Sequence, residues 1–275
     1  MQKETVKVIL KEITDYLTPH IERAGREAQL LLMFHLQKDE LWMITHSNSL
    51  VKERAKLFEM VQRRAKNEPL EYITNSVSFY SQEFYIAKGA LIPRPETEIL
   101  IDEVIKRVED KESQMNFVEV GVGSGIISII LALHYKNASF IAVDISQDAL
   151  NIAKINIERF GLTERIELRL GSLLEPVAEK IDYLISNPPY IADDAELETN
   201  LSYEPQNALF GGTVGDEIIQ KLLDEVLKRK INFFTCEMGY DQKDKITTYL
   251  KDTKLHTLEF YKDWSGFDRG FTLEV

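Results

Sequence analysis

Apolar residues in the first quarter of the chain recur at helical spacing, and in the remainder they alternate between strand-like runs and helical stripes. Val6, Ile9, Leu10, Ile13 and Leu17 share one helical face, Ala28, Leu31, Leu32 and His35 share a second, and Leu50, Leu57, Phe58 and Val61 predict a third long helix. The outer face of that third helix carries Lys52, Glu53, Arg54, Lys56, Arg63 and Arg64, which reads as a solvated face or as a partner surface. Neither a strand pattern nor any glycine other than Gly25 interrupts this region. Residues 1–74 are therefore expected to form a small all-helical N-terminal domain that binds a partner. From Ser76 to Ile92, aromatic and β-branched residues (Val77, Phe79, Tyr80, Phe84, Tyr85, Ile86) are broken by Ser81 and Gln82 and again by Lys88 and Gly89. That is a hairpin pattern, and it makes residues 75–92 a β-hairpin linker.

Residues 93–275 read as a second domain. Pro95 suits the first turn of a helix, which Ile101, Ile105 and Val108 continue. Strand-like runs lie at 117–120, 139–143, 165–170, 181–186 and 231–237. Between them fall helical stripes at 126–135, at 146–160 with Ser146 as N-cap and Gly161 as stop, and at 216–230 with Ile218, Leu222, Leu223 and Val226 inward. Residues 255–261 and 271–275 read as two more strands joined by a polar loop. Alternation of this kind predicts an α/β fold, a doubly wound, mostly parallel seven-stranded sheet ending in a hairpin.

Two strand ends carry chemistry. Gly121, Gly123 and Gly125, with Val122 and Ser124 between them, separate the first strand from its helix, and residues without a Cβ let the backbone pass close to a ligand. Asp144, at the end of the next strand, stands about where a carboxylate meets ribose hydroxyls. The G-x-G-x-G spacing is not the dinucleotide G-x-G-x-x-G, yet NAD stays open as an alternative. Glu119 adds a carboxylate just before the glycines, where a cation could be held. An adenosine ligand with positive charge fits, and S-adenosylmethionine carries both a sulfonium and an ammonium.

The second strand end is Asn187, Pro188, Pro189 and Tyr190. Each proline fixes its own φ and lacks an N–H, and the residue before a proline is pushed out of the helical region. The Asn187 side-chain oxygen and the Pro188 carbonyl then form a rigid acceptor pair, with Tyr190 as an aromatic lid. Such an array suits a planar NH2 group on an amide or an exocyclic amine; the alternative is a plain proline turn. If both acceptors take an N–H, the nitrogen lone pair turns towards the methyl donor and no strong general base is needed. Arg94, Glu96 and Glu98, set among Pro93 and Pro95, read as helix capping or as the wall of this site.

A net charge of −12 argues against a protein that grips long nucleic acid through its phosphates. The single cysteine, Cys236, lies in an apolar run and cannot form an internal disulfide. The five histidines are scattered without metal-ligand spacing, and no metal is expected. Charged residues interrupt the first apolar positions, and no run approaches the ~20 apolar residues of a membrane span, so a cytoplasmic protein and no membrane partner are expected.

Glu119 to Gly125, Asp144 and Asn187 to Tyr190 resemble the class I, Rossmann-like amino-group N-methyltransferases. The segments Pro69 to Ile73, Leu91 to Glu98 (LIPRPETE), Tyr203 to Gly212 (YEPQNALFGG), Glu237 to Gln242 (EMGYDQ) and Lys262 to Arg269 (KDWSGFDR) narrow the resemblance to the release-factor glutamine N5-methyltransferases, the HemK/PrmC family. It covers nearly the whole chain. It implies methyl transfer from S-adenosylmethionine to the glutamine side-chain amide in the Gly-Gly-Gln loop of peptide chain release factors; a monomer is expected. Glu119, Gly121 to Gly125, Asp144, Ser172 and Asn187 would hold the cofactor; Asn187, Pro188, Pro189, Tyr190, Arg94 and Glu96 would hold the substrate, with Asn187, Pro188 and Tyr190 as the catalytic residues. The chain departs from the family pattern in Val122 for a common Thr, Ser172 for an Asp facing the adenine amine, Asn75 for a Gly, and at Val214 to Asp216. The main rival is an N-methyltransferase acting on adenine N6 or guanine N2. A scaffold without catalysis and an NAD oxidoreductase are further alternatives.

Overall fold

The computed structural model describes residues 4–112 and 114–275, and the chain divides into two compact units. The smaller runs up to Ser76 and includes Glu198–Tyr203. It holds α1 (Val6–Leu17), α2 (Ala24–Leu36), α3 (Glu40–Thr45), α4 (Arg54–Ala65) and α5 (Leu70–Thr74). The periodic residues face one another as expected: Ile9, Ile13, Leu17, Leu31, Leu32, Leu57 and Val61 are buried in one cluster.

Leu50 departs from the helical reading. Residues 46–49 form a turn and a bend, and Val6 and Val51 N–H donate to the Ser49 and Glu4 carbonyls, both at 2.9 Å. Leu50 therefore bridges Thr5 and is 64% exposed, and α4 begins only after Glu53, whose φ is 52°. The charges on α4 are also not a plain solvated face. Arg54 pairs with Glu12, Arg64 with Glu27 and Arg63 with Glu68. The helices α3 and α5, of six and five residues, are too short to show a period.

The larger unit begins at Val77, within β1 (Ser76–Phe79), which pairs with β2 (Gln82–Tyr85); the two are joined at Tyr80 and Ser81, both with positive φ as a tight hairpin turn needs. Then follow α6 (Thr97–Arg107), β3 (Asn116–Val120), α7 (Ile126–His134), β4 (Ser139–Asp144), α8 (Gln147–Arg159), β5 (Ile166–Leu170), β6 (Tyr183–Ser186), β7 (Ile191–Ala192), β8 (Phe210–Gly212), α9 (Glu217–Arg229), β9 (Phe233–Glu237), α10 (Lys243–Leu250), β10 (Thr257–Lys262) and β11 (Asp268–Glu274). Seven strands form one sheet in the order β10-β11-β9-β6-β3-β4-β5, in which only the pairings of β11, with β10 and with β9, are antiparallel. This is the doubly wound, mostly parallel sheet of a class I methyltransferase fold. Ser146 caps α8 by accepting from the Ala149 N–H, and Gly161, with φ 67°, follows its end. In α9 the buried stripe runs through Ile219 in place of Ile218.

The core lies on both faces of this sheet. Phe117, Phe140 and Tyr183 point to one face with Leu100, Ile127 and Ile130, while Val118, Ile141 and Leu184 point to the other with Leu222, Val226 and Phe234. Burial on both faces explains why these strands read as continuous apolar runs. The hairpin residues Phe79 and Phe84 are buried in the first of these clusters.

Chain order starts mid-sheet at β3, moves outward through β4 and β5, and returns on the other side at β6. The carboxyl ends of β3 and β6 are thus the switch point where open α/β sheets bind ligands. Register completes the placement. Val120 pairs with Ser186, and Ser186 with Cys236, so Gly121, Asn187 and Glu237 leave three adjacent strands in one row.

The Phe117 ring, 1% exposed, stacks on Phe140, Tyr135 and Tyr183 at centroid distances of 4.9, 5.5 and 5.7 Å. Phe117→Ala is expected to cost about 3–5 kcal/mol in urea denaturation, against less than about 0.5 kcal/mol for Leu41→Ala, whose side chain is exposed.

Candidate active site

At this switch point lies a cavity of about 280 Å³. The loop after β3 lines it with Gly121, Val122, Gly123 and Ser124; β4 contributes Asp144, the loop after β5 contributes Ser172, and the end of β6 contributes Asn187, Pro188 and Pro189. Glu119 and Arg94 complete the expected residues that reach it. Glu96, Gly125 and Tyr190 do not line it. Gly125 caps α7 and lies against Ala153 of α8, where a Cβ would approach to 3.3 Å.

On the glycine-loop side, geometry fits an adenosine ligand bearing a cation. Gly123, at φ 54°, turns its N–H onto Asp144 Oδ2 at 3.0 Å, while Asp144 Oδ1 accepts from the Ser146 N–H at 2.9 Å. A carboxylate has about four lone-pair sites, so each oxygen keeps capacity for a ribose hydroxyl. Burial pushes the Asp144 carboxyl above its usual range, opposed by these N–H bonds. Glu119 is 2% exposed. Its Oε2 accepts from the Ser128 N–H at 2.9 Å and from the Ser128 hydroxyl, and its Oε1 is buried with no partner among the described residues. An orphaned carboxylate oxygen beside a cavity fits an ammonium group. Burial drives the Glu119 carboxyl up to about 8, partly offset by the Ser128 bonds. Ile145, 57% exposed yet lining the cavity, offers an apolar face that the sequence did not reveal.

On the other side, the carboxamide of Asn187 is held by its nitrogen. Its Nδ2 donates to Thr97 Oγ1 at 3.0 Å, and Thr97 Oγ1 donates to Glu237 Oε2 at 2.8 Å. The Tyr190 hydroxyl donates to Glu237 Oε1 at 3.1 Å, so Tyr190 braces this carboxylate and its ring packs against the core on that face. Burial raises the Tyr190 phenol well above its ordinary value. Among the described residues, neither Asn187 Oδ1 nor the Pro188 carbonyl has a partner. That leaves a pair of free acceptors beside the cavity.

The surrounding loops hold this pair in place. Gly211 of β8 packs so closely that a Cβ would stand 2.4 Å from the Pro189 carbonyl oxygen, which accounts for the double glycine after Leu209 and Phe210. Gln242 Nε2 donates to the Tyr190 carbonyl at 3.0 Å. Glu204, 5% exposed, accepts from the Ile92 N–H at 2.9 Å and from the Arg94 guanidinium. Arg94 therefore stands in the cavity wall with part of its charge already engaged. Thr97, Glu204 and Glu237 were not singled out as site residues from the sequence. The available signal was an acidic residue ending an apolar strand, as Asp144 does.

The family model described as the PrmC N-terminal domain matches residues 9–74, and that described as the methyltransferase small domain matches residues 95–209. Among relatives, the release factor glutamine methyltransferase of Dictyoglomus turgidum is 37% identical over 274 residues, covering 94% of this chain and 96% of its own length. That of Clostridium acetobutylicum is 31% identical, covering 95% and 93%. Among solved structures, the hMettl16 catalytic domain in complex with a 3′UTR hairpin has a TM-score of 0.59 at 13% identity over 80% of each chain, a likeness of fold.

A carboxyl whose value rises on folding favours the folded state at low pH, and this contribution is lost as pH rises through the folded value. Glu119 moves from 4.5 to about 8 and Glu237 from 4.5 to about 7. Stability of the cofactor-free protein is expected to fall as pH rises across that window. Glu119→Gln should flatten the upper part of the fall in urea titrations, with the lower part remaining through Glu237.

Proposed function

The chain belongs to the release factor glutamine methyltransferase family, and from that membership we propose that it methylates the side-chain amide nitrogen of the glutamine in the Gly-Gly-Gln motif of peptide chain release factors. It is an S-adenosylmethionine-dependent methyltransferase. The observation that carries the substrate reading is the unpartnered acceptor pair, Asn187 Oδ1 and the Pro188 carbonyl, beside a cavity whose opposite wall fits the methyl donor.

Glu119 would hold the cofactor's ammonium, Asp144 its ribose hydroxyls and Ser172 its adenine, with the Gly121 to Ser124 backbone lining the pocket beside it. When bound, S-adenosylmethionine supplies a methyl group already activated on a sulfonium. The chain's own task is then orientation. An amide nitrogen is a weak nucleophile because its lone pair is delocalised into the carbonyl. With one N–H accepted by Asn187 Oδ1 and the other by Pro188, the nitrogen faces the methyl donor, and a well-oriented pair of reactants accounts for much of the rate. Glu119 and Asp144 would serve the cofactor, and the proton freed when an N–H of the amide is replaced by the methyl group passes to solvent. Arg94 belongs to the wall over which the substrate loop enters, with Glu96 outside the cavity next to Thr97, Pro189 keeps the acceptors rigid, and Tyr190 fixes the carboxylate behind them.

The net charge of −12 disfavours the rival reading, in which a nucleic-acid base presents its exocyclic amine, since such substrates demand phosphate neutralisation. Among the described residues no helix is long and apolar enough to cross a membrane, and no cluster of His, Cys, Asp or Glu could hold a metal ion. We further read the protein as a cytoplasmic, metal-free monomer whose helical N-terminal region contacts the release factor.

The decisive test is the intact mass of a bacterial release factor, expressed without its methyltransferase, after incubation with this protein and S-adenosylmethionine. One added methyl on the Gly-Gly-Gln glutamine is expected. Asn187→Ala should lower the rate on the order of a hundredfold or more, with cofactor affinity in calorimetry within about twofold. Transfer to RNA or DNA in a parallel assay, with none to the release factor, would overturn the substrate assignment.

A further inference from the structure

We propose that Thr97 and Glu237 are positioning residues that set which end of the Asn187 carboxamide meets the substrate. The inference rests on the role given to Asn187 above and deepens it. A carboxamide is nearly symmetric in shape, so packing alone does not decide whether its oxygen or its nitrogen faces the cavity. An inverted carboxamide would present N–H to the substrate's N–H, and the acceptor pair would be lost.

Proton counting decides the orientation. Ionised Glu237 has no proton to give, so both groups that touch it must donate: Tyr190 Oη to Oε1 and Thr97 Oγ1 to Oε2. The single hydroxyl proton of Thr97 is thereby committed. Towards Asn187, 3.0 Å away, Thr97 offers only a lone pair. Asn187 must answer with N–H, which turns Oδ1 away from Thr97. The carboxylate thus acts two hydrogen bonds from Asn187, and three from the substrate, without touching it. Strand register supports the assignment, because Ser186 pairs with Cys236 and the next residue on each strand is Asn187 or Glu237.

Protonation of Glu237 would undo the arrangement. Its own O–H could then donate to Thr97, whose proton would be released towards Asn187, and the inverted carboxamide would become as well bonded as the working one. Burial holds the Glu237 carboxyl up at about 7, opposed by the bonds from Thr97 and Tyr190 and by the charge of Arg269. The groups facing it are Thr97 on α6 and Glu96 just before it, Tyr190 after β6, Arg269 on β11 and the Tyr261 hydroxyl on β10. The ionised form is required, so the rate rises with pH through this value.

The experiment compares wild type, Thr97→Val, Thr97→Ser and Glu237→Gln in kcat and KM for release factor from pH 6 to 9, with cofactor affinity and melting temperature for each. It is accompanied by the pH titration of the Asn187 side-chain amide signal in 15N-asparagine-labelled protein, identified by its loss in Asn187→Ala. Thr97→Val is expected to lower kcat on the order of tenfold to a hundredfold with cofactor affinity within about twofold, and Thr97→Ser to recover most of it. Wild-type kcat should carry an acid limb near 7 that is absent from Glu237→Gln. The Asn187 amide signal should titrate with the same midpoint in wild type and not in Thr97→Val, a readout that needs no substrate. A wild-type kcat in Thr97→Val, or an Asn187 signal that ignores pH, overturns the inference even where release factor is methylated. Absence of methylation by wild type overturns the underlying function reading instead, and with it the inference.

Discussion

Parallel register is the constraint on which the rest of this molecule depends. The pairings of Val120 with Ser186 and of Ser186 with Cys236 bring the glycine loop, the Asn-Pro-Pro-Tyr turn and Glu237 to one edge. A slip of one residue in β6 would exchange its two faces. Tyr183 and Leu184 pack into opposite clusters, so the core that stabilises the sheet also fixes the position of Asn187. Stability and site geometry are, in this sense, one property.

Charge at this edge is arranged by function and by burial together. Glu119 lines the cavity and Glu237 lies behind Thr97, both nearly inaccessible, yet their environments differ. Glu119 keeps an oxygen without a partner among the described residues, the signature of a group waiting for a cation. Glu237 spends both oxygens on hydroxyl donors, the signature of a group that orders its neighbours. Asp144 lies between these cases, half engaged with backbone N–H groups and half available.

Much of this was legible in the pattern of residues alone. Continuous apolar runs of four to six residues between helical stripes read as strands covered on both faces, and the glycine and proline punctuation marked the strand ends that bear ligands. What escaped the reading had physical reasons. Leu50 was drawn into a helix by its spacing, because backbone bonds from Ser47 to Val51 leave no trace in hydrophobicity. The segments α3 and α5, and the β7 and β8 pair of two and three residues, are too short to carry a period. Tyr190 was expected to lid the site, and its alternative partner, a buried carboxylate 47 positions away in sequence, is invisible locally. Thr97 and Glu237 meet only through the fold, since their separation of 140 residues is closed by the sheet.

The close seat of Gly211 beneath Pro189 bears on how the site works in time. With prolines at 188 and 189 and the Gly211 backbone packed against the Pro189 carbonyl, the backbone of this turn has little freedom left to lose when a substrate arrives. The ordering cost falls on folding, where the whole core shares it, and not on the encounter, where it would weaken binding. Any adjustment on binding then falls to the substrate, which meets a rigid template at this edge.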